Sequence, residues 1–206
     1  MTGILNYGVG NTGSIVNMLK RLTIPARLVS DPGDFDGIKR ILLPGVGAFD
    51  TGMSSLDRYG FVSVLNELVL EKQMPVLGIC LGMQLLARSS EEGQLPGLGW
   101  INGDVIRFRQ NAADPADRLR IPHMGWNEVT PRPNSPLFRG FEVDPRFYFV
   151  HSYHLICDSR DHIAGTVNYG GLTTAAVSYG NIHGVQFHPE KSHRFGMKLL
   201  ENFCTL

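Results

Sequence analysis

Cys80 has the clearest chemical setting in this chain. It sits within Pro75-Val76-Leu77-Gly78-Ile79-Cys80-Leu81-Gly82-Met83-Gln84. A short apolar run suited to a buried parallel strand passes there into a segment, 81–88, that is rich in strong helix formers. Gly78 and Gly82 flank the cysteine at the spacing of a nucleophile elbow, with Cys in place of Ser. A turn that sharp needs small neighbours so that the nucleophile protrudes. The N-terminus of the following helix favours a thiolate over a thiol. The plain alternative is a buried core cysteine, since a lone Cys in an apolar run packs as a small hydrophobe.

A base for this nucleophile stands in His188-Pro189-Glu190, after the apolar strand pattern Ile182-His183-Gly184-Val185-Gln186-Phe187. A residue before proline is pushed toward extended backbone, and in extended backbone i and i+2 point the same way. His188 and Glu190 therefore face one side, with the carboxylate spaced to orient the imidazole. Nucleophile, base and orienting acid are the three parts of a triad. The other histidines, His123, His151, His154, His162, His183 and His193, have no acid two residues away in an extended setting. His151 and His154 lack a Cys or acidic companion at a usual ligand spacing, so no metal site and no cofactor are expected.

A second motif competes. Gly8, Gly10 and Gly13 spell GxGxxG between a strand and a helix, with Asp31 near the end of the second strand. That pattern makes a dinucleotide-binding module an alternative of another class. Against it, the helix opens with Thr12-Gly13-Ser14, and a tight turn brought close to a neighbour accounts for the glycines as well. A non-catalytic interaction protein with a vestigial elbow is the third reading.

These residues must be positioned by an ordinary globular chain. It has 206 residues, enough for one domain with a large core. Lys plus Arg and Asp plus Glu are 19 each, so net charge is zero and neither nucleic acid nor an anionic membrane is indicated as a ligand. Three scattered cysteines, Cys80, Cys157 and Cys204, fit reduced thiols and a cytoplasmic setting. The run from Met1 to Tyr7 is too short for a signal peptide, and no stretch approaches a membrane span.

Strand and helix patterns alternate through the first half. Strands are expected at Gly3-Ile4-Leu5-Asn6-Tyr7, 25–29, Arg40-Ile41-Leu42-Leu43 and the elbow, with helices after the first and around Phe61, Val64, Leu65 and Leu68, which fall at i, i+3, i+4 and i+7. This is the pattern of a mostly parallel sheet with helices on its faces. Alternating strands at 103–108, 147–151, 174–177 and 182–187 add an antiparallel region, and a last helix covers 194–203. The most loop-like stretch is 110–118, with Asp114-Pro115.

From end to end the chain resembles the class I, or triad, glutamine amidotransferases. Within them it is most similar to the glutaminase subunits of imidazole glycerol phosphate synthase. The matching stretches are Tyr7-Gly8-Val9-Gly10-Asn11, Leu43-Pro44-Gly45-Val46-Gly47-Ala48-Phe49, 78–85, Ser90-Glu91-Glu92-Gly93, Pro122-His123-Met124-Gly125-Trp126-Asn127, Phe149-Val150-His151-Ser152-Tyr153 and 184–191. The resemblance implies one amidotransferase domain over 1–206, of flavodoxin-like α/β fold, that hydrolyses L-glutamine with water. Cys80, His188 and Glu190 would be catalytic. Leu81 and the loop residues Val46 and Gly47 would supply the oxyanion hole, and Gly45, Gln84, Ser152 and Tyr153 would contact glutamine. It further implies a heterodimer with a (β/α)8-barrel synthase subunit, with Asn11, Trp126, Tyr148 and Lys191 near the interface or ammonia exit.

The chain departs from the family pattern. Asn6 stands where an aspartate is usual, and Gly13 where a bulkier residue is. Gly99-Trp100-Ile101 and 190–196 resemble a paralogue branch that feeds ammonia to the amidination of a surface-polysaccharide sugar. The departures bear on the partner and the end product, not on glutamine hydrolysis.

Overall fold

The computed structural model describes residues 1–109 and 119–206. The loop expected at 110–118 lies outside the described residues. The first half alternates as expected: β1 (Thr2–Leu5), α1 (Thr12–Arg21), β2 (Ala26–Val29), β3 (Arg40–Gly45), α2 (Phe49–Arg58) and α3 (Phe61–Asn66), which runs on as a π turn over Glu67–Glu71. β4 (Val76–Cys80) leads without a break into α4 (Leu81–Leu85). The second half holds β5 (Ser89–Ser90), β6 (Gly103–Arg107), β7 (His123–Pro131), β8 (Arg146–His151), β9 (Tyr153–Cys157), β10 (Ile163–Asn168), β11 (Leu172–Tyr179) and β12 (Ile182–Val185), closed by α5 (His193–Cys204).

The main sheet runs β2-β1-β3-β4-β12-β11-β10-β7-β8, and a small one runs β5-β6-β9. From β2 to β12 neighbouring strands are parallel. From β12 outward to β8 they are antiparallel. β1, β3 and β4 are buried on both faces while the edge strand β2 exposes Arg27 and Leu28, and the side chains of the inner strands sort by the period of two: Leu43 joins the core under α2 and α3, while Leu42 joins the core under α1 and α5. Helices thus cover both faces, as the sequence pattern predicts for this α/β fold. No helix among the described residues is long and apolar enough to cross a membrane.

Six elements differ from the sequence reading. α2 was not anticipated, because Phe49-Asp50-Thr51-Gly52 is poor in helix formers. Its buried Phe49, Met53 and Leu56 hold it instead, and the Glu92 carboxylate accepts from Phe49 N at 2.9 Å. α4 stops at Leu85 rather than Arg88, because the backbone there turns to bond elsewhere: Arg88 N donates to Gly103 O and Gly99 N donates to Ala87 O. β7 and β10 carry Gly and polar residues that hide their period, and the short β5 and the strand β9 were also not anticipated and form by pairing with β6.

Candidate active site

β4 and α4 meet at Cys80 with φ 54° and ψ −111°, a conformation that non-glycine residues rarely adopt. The surroundings enforce it. A Cβ on Gly82 would lie 1.8 Å from Leu43 O, and one on Gly78 would lie 2.5 Å from Gly82 O. The two glycines let the start of α4 press against β3 and β4, and the strain at Cys80 is held by that packing. With only five residues, α4 gives the sulfur a weaker helix field than a long helix would.

The base arrives from the neighbouring strand. β12 pairs with β4 in parallel, Val185 opposite Ile79, so the residues just past β12 reach the elbow. His188 N donates to Tyr148 O at 2.9 Å, which ties this segment to β8. His188 Nδ1 meets Glu190 Oε1 at 2.7 Å, leaving the buried Nε2 for the sulfur, with no hydrogen bond of its own. Burial by itself pulls His188 down. Cys80 and Glu190 together outweigh it and carry the imidazole up to about 9. The contact with Glu190 does not come from extended backbone. Pro189–Lys191 form a 3-10 turn, and the turn swings the carboxylate back under the ring.

Cys80 and His188 both line a cavity of about 350 Å³, a size suited to a small ligand. Val46, Gly47, Leu81 and Gln84 line it from the parallel half, and Ser152 and Tyr153 from the antiparallel half. Gly45 does not line it. This residue is buried beneath, where a Cβ would meet Gly82 N at 2.8 Å, so its smallness serves the approach of β3 to the elbow. Gln84 Nε2 donates to Tyr153 O at 3.1 Å and to Gln186 Oε1 at 3.0 Å. What Gln84 has left to offer a substrate is therefore its carbonyl oxygen.

Four wall residues, Glu92, Pro122, Val150 and His151, escaped the sequence reading as site residues, and two of them are titratable. Glu92 brings a carboxylate to the cavity. Its stretch, Ser90-Glu91-Glu92-Gly93, had been noted only as a match. His151 also lines the cavity. Its Nδ1 meets Tyr153 O at 2.8 Å, so Nδ1 donates, and its Nε2 accepts from His123 Nδ1 at 3.0 Å. Burial first, then neighbouring histidines, push His151 down to about 3, and burial pushes His123 down to about 4. Both are neutral and committed to structure, unlike His188.

Trp126, Tyr148 and Lys191 come together outside the cavity. Trp126 and Tyr148 rings are 6.1 Å apart edge-on, and Lys191 Nζ lies 5.6 Å from the Tyr148 ring centroid. Trp126, 42% exposed, stacks on His193. Asn11 caps α1, its Oδ1 accepting from Ser14 N. A second cleft, lined by Ser14, Asn17, Lys191 and His193, reaches Glu190 from outside. Glu190 thus stands between the cavity histidine and this outer surface.

Of the competing GxGxxG, Gly10 alone is in close packing. A Cβ on Gly10 would lie 3.2 Å from Pro44 O, and Asp31 spends its carboxylate on Gly33 N in a local turn at 2.8 Å. Among the described residues no group of three or more His, Cys, Asp and Glu side chains is arranged to hold a metal ion.

The sequence pattern of the family described as glutamine amidotransferase class-I matches residues 4–206. The chain is 48% identical, over all of both chains, to the imidazole glycerol phosphate synthase subunit HisH 2 of Pseudomonas aeruginosa. It is 47% identical to the imidazole glycerol phosphate synthase subunit HisH 2 of Methanococcus maripaludis, over 98% of each chain. A crystal structure titled glutamine amidotransferase superposes with a TM-score of 0.73 at 21% identity, covering 98% of this chain and 96% of that one, which is a likeness of fold.

Proposed function

The chain belongs to the class-I glutamine amidotransferases, and from that membership we propose that it serves as the glutaminase subunit of imidazole glycerol phosphate synthase, releasing ammonia from glutamine for histidine biosynthesis. The observation that carries the reading is the near-half identity over the full chain to subunits bearing that name. Residues 1–206 then act as one amidotransferase domain, in the cytoplasm.

In this reading the Cys80 thiolate attacks the side-chain carbonyl carbon of glutamine. The tetrahedral oxyanion is met by backbone N–H groups, Leu81 at the start of α4 and Val46 or Gly47 in the loop after the adjacent strand β3. His188, held by Glu190, gives its proton to the leaving nitrogen, and ammonia departs as the thioester forms. His188 then takes a proton from water as it attacks the thioester, and glutamate leaves with Cys80 restored. Glu92, the carboxylate on the wall, suits the substrate's α-ammonium, and Ser152 and Tyr153 suit its backbone end.

Ammonia is largely protonated in neutral water and is then no nucleophile, so a synthase must receive it through a shielded passage. We assign the receiving partner to a (β/α)8-barrel synthase subunit, docked over the surface of Asn11, Trp126, Tyr148 and Lys191. The exposed Trp126 and the basic Lys191 at the outer cleft support that placement. The departures do not disturb the core: Gly13 has open space where a Cβ would stand, and Asn6 donates to Ser30 Oγ at 2.9 Å on an exposed edge.

The test is to purify the chain with its native partner and assay glutamine hydrolysis and synthase product, for wild type and Cys80→Ala. Cys80→Ala should abolish glutamine-driven synthesis and leave ammonium-driven synthesis intact. Glutamine hydrolysis at the wild-type rate in Cys80→Ala would end the assignment. A complex that uses ammonia but makes no imidazole glycerol phosphate would move it to the sugar-amidinating paralogue.

A further inference from the structure

We propose that Gln186 is a further catalytic residue, whose side-chain N–H holds the Cys80 sulfur as an aligned thiolate from the side opposite solvent. Gln186 is completely buried, and its Nε2 lies 3.8 Å from Cys80 Sγ. It reaches that position through strand register. Val185 stands opposite Ile79, so Gln186 is the next neighbour of Cys80, and Gln186 N is pinned to Ala175 O at 2.9 Å. Gln186 and His188 are two residues apart on one strand extension, and both address the same sulfur.

An amide side chain could present either oxygen or nitrogen to sulfur, and the two have opposite effects. Here the choice is forced by a group that cannot flip. The Tyr153 carbonyl only accepts. Gln84 must turn its Nε2 toward it, at 3.1 Å, and the same nitrogen donates its other hydrogen to Gln186 at 3.0 Å. Gln186 must therefore show Oε1 to Gln84, which leaves Nε2–H for Sγ. His151 Nδ1 donates to the same Tyr153 carbonyl at 2.8 Å, so both of its lone pairs are used and the polarity is locked from two sides. A reversed Gln186 would set two NH2 groups against each other and an oxygen against the anionic sulfur.

A thiolate is an acceptor without a hydrogen. A buried N–H aimed at it stabilises the charged form and restricts its rotamer. Because the donor is uncharged and cannot release its proton, this contribution does not depend on the state of His188.

The inference rests on Cys80 being the nucleophile of the proposed glutaminase, but its test does not use glutamine chemistry. Gln186→Leu removes the donor and keeps an apolar volume. Gln186→Glu keeps shape and the acceptor for Gln84, and places negative charge by the sulfur. The measurement is the pH dependence of Cys80 alkylation by iodoacetamide in the full chain, with Cys157 and Cys204 resolved by peptide mass. The midpoint should rise by about one unit in Gln186→Leu and further in Gln186→Glu. In the complex, glutaminase kcat should fall about tenfold or more with KM changed less than twofold. Midpoints unchanged in folded Gln186→Glu, or in folded Gln186→Leu, would overturn the role. If the wild-type complex does not hydrolyse glutamine while the midpoints shift, the glutaminase reading fails and the role of Gln186 stands.

Discussion

Two turns border the cavity side by side, at the ends of the paired strands β3 and β4, and they are built in opposite ways. The elbow at Cys80 has no slack: Gly78 and Gly82 are in contact with backbone on the side where a Cβ would stand, and Cys80 itself is held at positive φ. The turn at Val46 and Gly47 is exposed. Gly47 has φ +104° and nothing within 4 Å of a Cβ position. Glycine serves close packing in the first case and freedom of the peptide in the second. In the proposed mechanism the nucleophile is therefore fixed in advance, and the oxyanion donor assigned to the neighbouring turn is the part that a docked partner would move. Just behind it the loop is anchored, since the buried Tyr7 hydroxyl donates to Pro44 O at 2.8 Å.

The comparison is tested most severely by adding the same methyl group to each turn. Gly82→Ala drives a Cβ into the Leu43 carbonyl, and neither strand nor helix can yield without loss of packing. We expect a fall in melting temperature of about 10 °C or more, or insoluble protein. Gly47→Ala should shift melting by no more than about 4 °C, the cost of a non-glycine residue at positive φ. Thermal melts of the two variants that agreed with each other would show that the elbow is not the tighter turn.

The chemistry of the fixed side comes next in size. His188→Asn should lower glutaminase by about 10²–10⁴-fold, in the isolated chain and in the complex alike. A wild-type rate would place the base elsewhere, with His151 the first residue to examine.

Gly47→Pro addresses the movable side. Proline fixes φ near about −65° and deletes an N–H, so it cannot take the conformation seen at Gly47. One oxyanion donor is worth about two to three decades in rate. The variant should still bind its partner and lose most of the stimulation of glutamine hydrolysis expected from the partner and its ligand. Equal rates for the wild-type chain alone, in complex, and in complex with synthase ligand would remove the gate altogether.

The smallest effect expected is that of Glu190→Gln, about ten- to hundredfold. Because Glu190 helps carry His188 up to about 9, its loss should move the alkaline limb of kcat/KM to lower pH, equally with and without partner. The same shift has a stability consequence. A His raised in the fold adds stability that is full below its unfolded value of about 6.5 and is lost as pH rises through about 9. Chemical denaturation of wild type and Glu190→Gln across that window should show the difference shrinking as pH rises. A change in the stimulation ratio, rather than in the pH limb, would place Glu190 on the movable side.

The sequence by itself determined the parts whose physics is local. Cys80 between two glycines at a strand-to-helix junction is legible because the sharp turn excludes larger neighbours within the same few residues. The inner strands β3 and β4 are legible because strands buried on both faces are continuous apolar runs. His188 and Glu190 are close in sequence, so their contact was readable, although a 3-10 turn makes it rather than extended backbone. Tertiary structure decided what depends on register and on surfaces brought from afar. α2 forms against its own propensity because the sheet and the Glu92 carboxylate wait for it. In the second half, β6, β8, β11 and β12 are legible from alternation, whereas β5, β7, β9 and β10 are selected only by pairing with neighbours. Gly45 lies under the cavity rather than in it, and Glu92 and His151 reach its wall from separate segments. Gln186 meets Cys80 only because β12 pairs with β4 with Val185 opposite Ile79. A slip of one residue would turn Gln186 to the other face of the sheet.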